Sequence, residues 1–314
     1  MLRSTYLTFL FLLIIGVTLC ACNINSIAKR TQTASTPLPS MRQELPPIAT
    51  QTSSPFPAIS QFPEERTTPT MKAESGVLSI TIVYDNNSFD PRLKTAWGFS
   101  ALVEYHEQIL LFDTGGGGQI LLENLQALEI DPTHIQSIVL SHAHGDHTGG
   151  LSALLGSTNQ PAVYLLPSFT DAYKRQIGQV TQVIEVAPGQ LIGDGILTTG
   201  EISGNLPEQA LLLRTENGLV IVTGCAHPGI VQIIERAIDL TEDPVYLVLG
   251  GFHLGSKDKG EISTIIANFR RLGVQKVAPC HCTGEGAIAM FADEYGSAFV
   301  QVGVGTIMTI AKEE

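Results

Sequence analysis

The run Ser141-His142-Ala143-His144-Gly145-Asp146-His147-Thr148-Gly149-Gly150 constrains this chain more than any other feature. It places three imidazoles and one carboxylate within six residues, directly after the apolar run Ile138-Val139-Leu140. A short apolar run closed by a Gly-rich polar loop predicts a buried strand that delivers its loop to the surface of a rigid scaffold. Neutral imidazole and carboxylate suit a borderline-soft divalent ion such as zinc. The spacing differs from the helical His-Glu-x-x-His pattern, whose two His sit one turn apart. Here the donors come from a loop that curls around a metal. Four donors in a row, with more His downstream, can serve two ions. Six of the eight His, namely His142, His144, His147, His227, His253 and His281, fall in compact motifs flanked by Gly, Pro or Cys.

The first quarter of the chain reads differently. Residues 1–21 hold one early arginine, Arg3, and a continuous apolar stretch from Leu7 to Leu19, followed by Cys20-Ala21-Cys22. A stretch that short, ending at small residues, predicts an export signal over 1–22 and not a spanning helix. The segment resembles the bacterial lipoprotein box. That resemblance implies an acylated Cys22 tethering an exported protein to the outer face of the cytoplasmic membrane or in the periplasm. An uncleaved membrane anchor is the alternative. Residues 23–75 are rich in Pro, Ser, Thr and Gln without periodic apolar positions. Such a composition cannot bury a core, so a disordered spacer is expected. Residues 76–314 are left as a single folded domain.

The formal net charge of −12 argues against a nucleic-acid partner, which calls for Lys/Arg surfaces, and in favour of a small-molecule substrate. Cys225, Cys280 and Cys282 all stand beside His residues. They read as site residues or as small packing residues in tight turns. Cys280 and Cys282 are too close in sequence to bridge each other without strain.

Period-two apolar alternation predicts strands over 77–84, 99–105, 108–112, 137–140, 162–166, 181–186, 196–199, 210–214, 219–223, 245–249, 277–278, 299–302 and 306–310. Helical spacing predicts helices over 120–128, 150–155, 228–240, 261–272 and 284–291, and residues 168–179 read as a polar excursion. These elements imply an α/β (α+β) fold, a four-layer αββα sandwich of two mixed β-sheets with outer helices.

Four further segments stand at expected strand ends: Asp113-Thr114-Gly115, Gly224-Cys225-Ala226-His227-Pro228-Gly229, Gly250-Gly251-Phe252-His253 and Pro279-Cys280-His281-Cys282-Thr283-Gly284. With the central His run, their order resembles the metallo-β-lactamase fold superfamily over residues 77–310. Together with Asp85-Asn86-Asn87 and Gly98-Phe99-Ser100 they resemble the subgroup named for dihydropterin ribofuranosyl-aminobenzene phosphate synthase. The resemblance implies that His142 and His144 hold a first metal, that Asp146 and His147 hold a second, and that His281 is the late ligand of the second. This chain departs from the pattern at the usual third His of the first metal, where Thr198-Thr199-Gly200-Glu201 offers Glu201. His227 is the expected replacement, with Cys225 and Glu201 as alternatives. His144, where some relatives have Glu, favours zinc over a redox di-iron pair. Asp113 is expected to accept the free ring N–H of a ligand His, or to cap its turn, or both. His253 is expected at the substrate or behind the ligands, with a plain core or surface position as the alternative. His106 and His134 have no supporting motif and read as surface residues. Trp97 fits the pocket mouth or the core equally, and segments 165–195 and 200–209 are expected to wall the pocket.

The expected activity is that of a dinuclear zinc hydrolase. A metal-activated hydroxide, oriented by Asp146, would attack a small ester, lactone, amide or phosphoester, with His253 at the oxyanion or leaving group. No Gly-x-Ser-x-Gly nucleophile motif competes with this reading. The resemblance alone implies an alternative, a transferase like the named synthase. A non-catalytic metal-binding lipoprotein is a third reading from a different class.

Overall fold

A computed structural model of the chain describes residues 76–312. The expected export signal, Cys22 and the spacer over 23–75 lie outside the described residues. Among the described residues no helix is long and apolar enough to cross a membrane.

In chain order the first half contains β1 (Leu78–Tyr84), β2 (Ser100–Tyr105), β3 (Gln108–Phe112), α1 (Gly118–Ala127), β4 (Ser137–Val139), α2 (Gly145–Thr148), α3 (Leu151–Leu155), β5 (Ala162–Leu165), α4 (Asp171–Gly178) and β6 (Val183–Glu185). The second half contains β7 (Leu191–Gly193), β8 (Ile196–Thr198), β9 (Leu211–Thr215), β10 (Gly218–Thr223), α5 (Ile230–Thr241), β11 (Val245–Gly251), α6 (Lys259–Arg271), β12 (Lys276–Cys280), α7 (Glu285–Tyr295) and β13 (Ile307–Ile310).

Seven strands form one sheet in the order β13-β1-β2-β3-β4-β5-β6, and six form the other in the order β12-β11-β10-β9-β8-β7. Both sheets are mixed. The pairs β1–β2 and β2–β3 are antiparallel and β3–β4, β4–β5 and β5–β6 parallel, while β10 runs parallel to β11 and antiparallel to β9.

Strand alternation explains the layering, because successive side chains leave a strand on opposite faces. On β1, Leu78, Ile80 and Ile82 enter the core between the sheets, where they meet Val220 and Val222 of β10 and Leu247 and Leu249 of β11. On β10 the intervening Leu219 and Ile221 turn outward onto Ile230, Ile233 and Ile234 of α5 and Phe269 of α6. On the far side of the first sheet, Leu102, Leu111 and Ile138 pack beneath Leu121 and Leu125 of α1 and Leu151 and Leu154 of α3. Three apolar layers separated by two sheets make the four-layer αββα sandwich that the pattern predicts.

Three local expectations are corrected. The polar excursion over 168–179 contains α4, whose start is capped by the Thr170 side chain accepting from Tyr173 N and which buries Ile177. Its polar residues mask a one-residue anchor too narrow to show as periodicity. The strand expected over 299–302 reduces to a bridge between Phe299 and Val277, preceded by a 3-10 turn at Gly296–Ala298. The short strand β7 was not expected, since its exposed Leu191 and its Gly193 give no alternation.

Candidate metal centre

The loop after β4 carries the His run, and α2 begins inside it, so that Asp146 and His147 lie on its first turn. Across the cleft, three parallel strands end side by side. Past the end of β10 come Cys225 and His227, past β11 comes His253, and past β12 come His281 and Cys282. Loops at the carboxyl ends of parallel strands are where α/β sheets present functional groups. The approach is close at Gly224, where a Cβ would collide with Ser141 Oγ and sit 3.0 Å from Asp113 Oδ2.

The donors fall into two sets, each drawn from both sides of the cleft, with the ligating atoms of each set within 4.8 Å of one another. His142, His144 and His227 form the first. His142 Nε2 lies 3.2 Å from His144 Nδ1, and the His227 ring sits 4.8 Å from each of the other two rings. Asp146, His147, Cys225 and His281 form the second. His147 Nε2 is 3.3 Å from Cys225 Sγ and 3.6 Å from Asp146 Oδ2, and His281 Nε2 is 3.4 Å from the same carboxylate oxygen.

Neighbouring groups fix which ring nitrogen each His presents. The buried Asp113 accepts from Ser141 N at 2.7 Å and Ser141 Oγ at 2.6 Å, and faces His147 Nδ1 at 2.7 Å. With its proton given to Asp113, Ser141 Oγ can accept the Nδ1–H of His142, 2.9 Å away. A single carboxylate therefore orients one imidazole in each set and leaves both Nε2 atoms facing the cleft. His281 is held similarly, with Nδ1 2.8 Å from Asn86 Oδ1.

The buried Glu208 does comparable work for the backbone. Its Oε1 accepts from the N–H groups of Gly224, Cys225 and Ala226, and its Oε2 from that of His227 at 2.8 Å. One side chain thus shapes the segment that carries two donors, including Ala226 at φ 61°. Sequence reading missed Glu208, because one carboxylate in a loop without periodicity gives no signal. Asn86 was noticed within a motif but given no role.

The titration behaviour of His142, His227 and Asp146 suits cation binding, which needs neutral imidazoles and ionised acids. Burial, then the neighbouring imidazoles, holds His142 far below the ordinary histidine value. The same causes lower His227 to about 4. Burial opposes ionisation of Asp146, but His281 and His147 outweigh it and push its pKa down. His147 is raised, since Asp113, Asp146 and Glu208 together overcome its burial. Burial lifts Glu208 to about 6 against the pull of its backbone donors.

A cation fits these residues on one direct observation. His227 Nε2 is a buried nitrogen to which no hydrogen bond is made, while His281 Nε2 faces only the Asp146 carboxylate at 3.4 Å. Buried polar atoms normally have partners, and the unpartnered nitrogen belongs to the first donor set.

The structure also places the remaining candidates. Glu201 Oε2 accepts from Ser168 N at 2.9 Å, so this alternative third ligand is engaged away from both sets. Cys225, the other alternative, sits in the second set and not the first. His253 is exposed at φ 54°, with its ring 4.4 Å from that of His227. Trp97 is 60% exposed and its ring lies 5.0 Å from that of His281, at the mouth and not in the core. His106 lies in the β2–β3 turn against Tyr105, and His134 in the 3-10 turn Pro132–His134; neither joins a donor set.

The fold and the site are those expected of a metallo-β-lactamase domain, and the comparisons agree. Residues 98–201 match the Metallo-beta-lactamase superfamily. It is 29% identical over 278 residues to the 7,8-dihydropterin-6-methyl-4-(beta-D-ribofuranosyl)-aminobenzene-5'-phosphate synthase of Methanocaldococcus jannaschii, covering 73% of this chain and 95% of that protein. Among solved structures it is similar to a metal-dependent hydrolase of the β-lactamase superfamily, with 28% identity, a TM-score of 0.63 and coverage of 75% of this chain and 100% of that one. The metallo-β-lactamase fold protein YhfI of Bacillus subtilis shares the fold at 15% identity, with a TM-score of 0.56 and coverage of 75% of this chain and 100% of that one.

Proposed function

We propose that this chain is a dinuclear zinc hydrolase acting on a small ester, lactone, amide or phosphoester. The observation that carries this reading is the pairing of two donor sets, each spanning the cleft, the first with the buried, unpartnered Nε2 of His227. His142, His144 and His227 would hold the first ion, and Asp146, His147, Cys225 and His281 the second. Nitrogen, oxygen and one sulfur suit zinc. A bound divalent ion supplies Lewis acidity and brings the pKa of water from about 15.7 to roughly 7.

The chain's own residues do the rest. Asp113 and Asn86 keep Nε2 of His142, His147 and His281 turned to the cleft. Glu208 holds Cys225 and His227 in register with them. The ionised Asp146 carboxylate, at the junction of His147 and His281, would orient the attacking water. His253 stands on the rim beside His227, where a leaving group departs. Trp97 borders the mouth next to His281.

A transferase reading is favoured by one observation, the similarity to the archaeal synthase over 95% of its length. The export signal read from residues 1–22 counts against it, because cytosolic pterin intermediates would not meet an exported enzyme. Tethering through Cys22 is part of the proposal and is checked by acyl-chain labelling that Cys22→Ala abolishes.

The testing experiment is elemental analysis of the full chain beside a hydrolysis panel of esters, lactones, amides and phosphoesters. About two zinc ions per chain, falling to about one in His227→Ala, with turnover on one substrate class, supports the hydrolase. Metal binding with no turnover on the panel and formation of the synthase product would replace it with the transferase. Absence of bound metal would end both.

A further inference from the structure

A third group of donors adjoins the two sets just described. Cys225, His253 and Cys282 bring two sulfurs and one imidazole nitrogen within 4.8 Å of one another. They come from the ends of β10, β11 and β12, the same three parallel strands that deliver His227 and His281. Cys225 is buried, Cys282 half-buried and His253 exposed, so the group is closed behind and open in front. Two features show that the arrangement is imposed on the backbone. His253 occupies the left-handed region at φ 54°, which a non-glycine residue adopts at a cost. Gly251 leaves the room for Cys282, because a Cβ there would sit 2.7 Å from its Sγ.

We infer that Cys225, His253 and Cys282 form a third cation site, selective for a thiophilic ion such as Zn2+ or Cd2+. Two thiolates and one imidazole are softer than either neighbouring set, and three protein donors leave a position open on the exposed side. Binding is an exchange of protons for metal. The Cys282 thiol gives up its proton to solvent, as does Cys225 where the second ion has not already taken its place, two metal–sulfur bonds and one metal–nitrogen bond form, and no electrons move. Cys225 Sγ also stands 3.3 Å from His147 Nε2, so its thiolate bridges the third site to the second. An ion held there puts positive charge beside His227, on the side of the cleft where the proposed hydrolase releases its leaving group.

The test titrates the full chain, stripped of metal and kept reduced, with Cd2+. Bound ion is measured by equilibrium dialysis and thiolate ligation by ultraviolet charge-transfer absorption. The expected result is about three Cd2+ per chain in the wild type. Cys282→Ser and His253→Asn each retain about two, with clearly weaker charge transfer in Cys282→Ser. Asn tolerates the left-handed backbone, so His253→Asn keeps the test sound if Cys282→Ser fails to fold. Saturation at about two ions in all three proteins overturns the third site and leaves the dinuclear reading standing. A Cys225–Cys282 disulfide that resists the reductant also overturns it. Absence of any bound Cd2+ overturns both readings together.

Discussion

The first sheet delivers four donors from one loop, His142 to His147, whereas the second delivers its donors from the ends of three separate strands. The two sides are also held differently. On the first side a side-chain carboxylate, Asp113, grips the donor His147 itself and reaches His142 through Ser141. On the second side Glu208 grips main chain, fixing Cys225 and His227 through four consecutive N–H groups. One side sets ring orientation and the other sets backbone path. Neither side holds the whole of the His142–His144–His227 set or of the Asp146–His147–Cys225–His281 set, so the sandwich must close before either of these sets is complete. Metal affinity is then coupled to folding of the whole domain, because binding to the native state alone adds to its stability.

That contrast can be broken at defined points. The largest effect is expected from Asp113→Ala, which strands Ser141 and His147 in the interior. Removing one partner of such a buried network costs roughly 3–5 kcal/mol. Urea unfolding should report this loss, and elemental analysis should show both ions weakened, since one carboxylate serves both sets. Glu208→Ala should come next. It leaves four backbone donors without their acceptor, at about 1–3 kcal/mol for each that water cannot reach. Its signature is selective: His227 and Cys225 shift while the His142–His147 loop keeps its geometry, which chemical shifts of the ring protons would distinguish. Asn86→Ala touches His281 alone. It should reduce affinity for the second ion by about 10–100-fold and leave the first unchanged, as measured by competitive chelation.

A smaller effect concerns acid. His227 is lowered from 6.5 to about 4 in the folded chain, so unfolding takes up a proton between those values. Its contribution to metal-free stability is thus lost as pH falls from about 6.5 towards 4. The stability difference between the wild type and His227→Asn should shift against the wild type over that window and stay flat above it. A flat difference throughout would place His227 in a more polar setting than its burial indicates. Glu201→Gln should do least, leaving metal content unchanged, because Glu201 bonds Ser168 and no donor.

The same contrast governs what could be read from residues alone. A contiguous His run after an apolar strand announces itself, and so do the period-two strands that build both sheets. Scattered donors were legible only as Gly-, Pro- and Cys-flanked fragments at expected strand ends, because spacing along the chain says nothing about which strands lie side by side. Cys225 illustrates the limit. Sequence reading offered it as an alternative third ligand of the first metal, and the parallel pairing of β10, β11 and β12 puts it with Asp146, His147 and His281. Glu208 was illegible for a simpler reason: its partners are backbone amides, which every residue has.

Trp97 is the only tryptophan in the chain, and it stands 60% exposed with its ring 5.0 Å from that of His281. All indole emission from this protein therefore originates at the lip of the cleft. The molecule carries its own optical gauge. Loading the second set with a paramagnetic ion such as Co2+ should quench that emission in proportion to occupancy, and an arriving substrate should shift its wavelength, with no label attached.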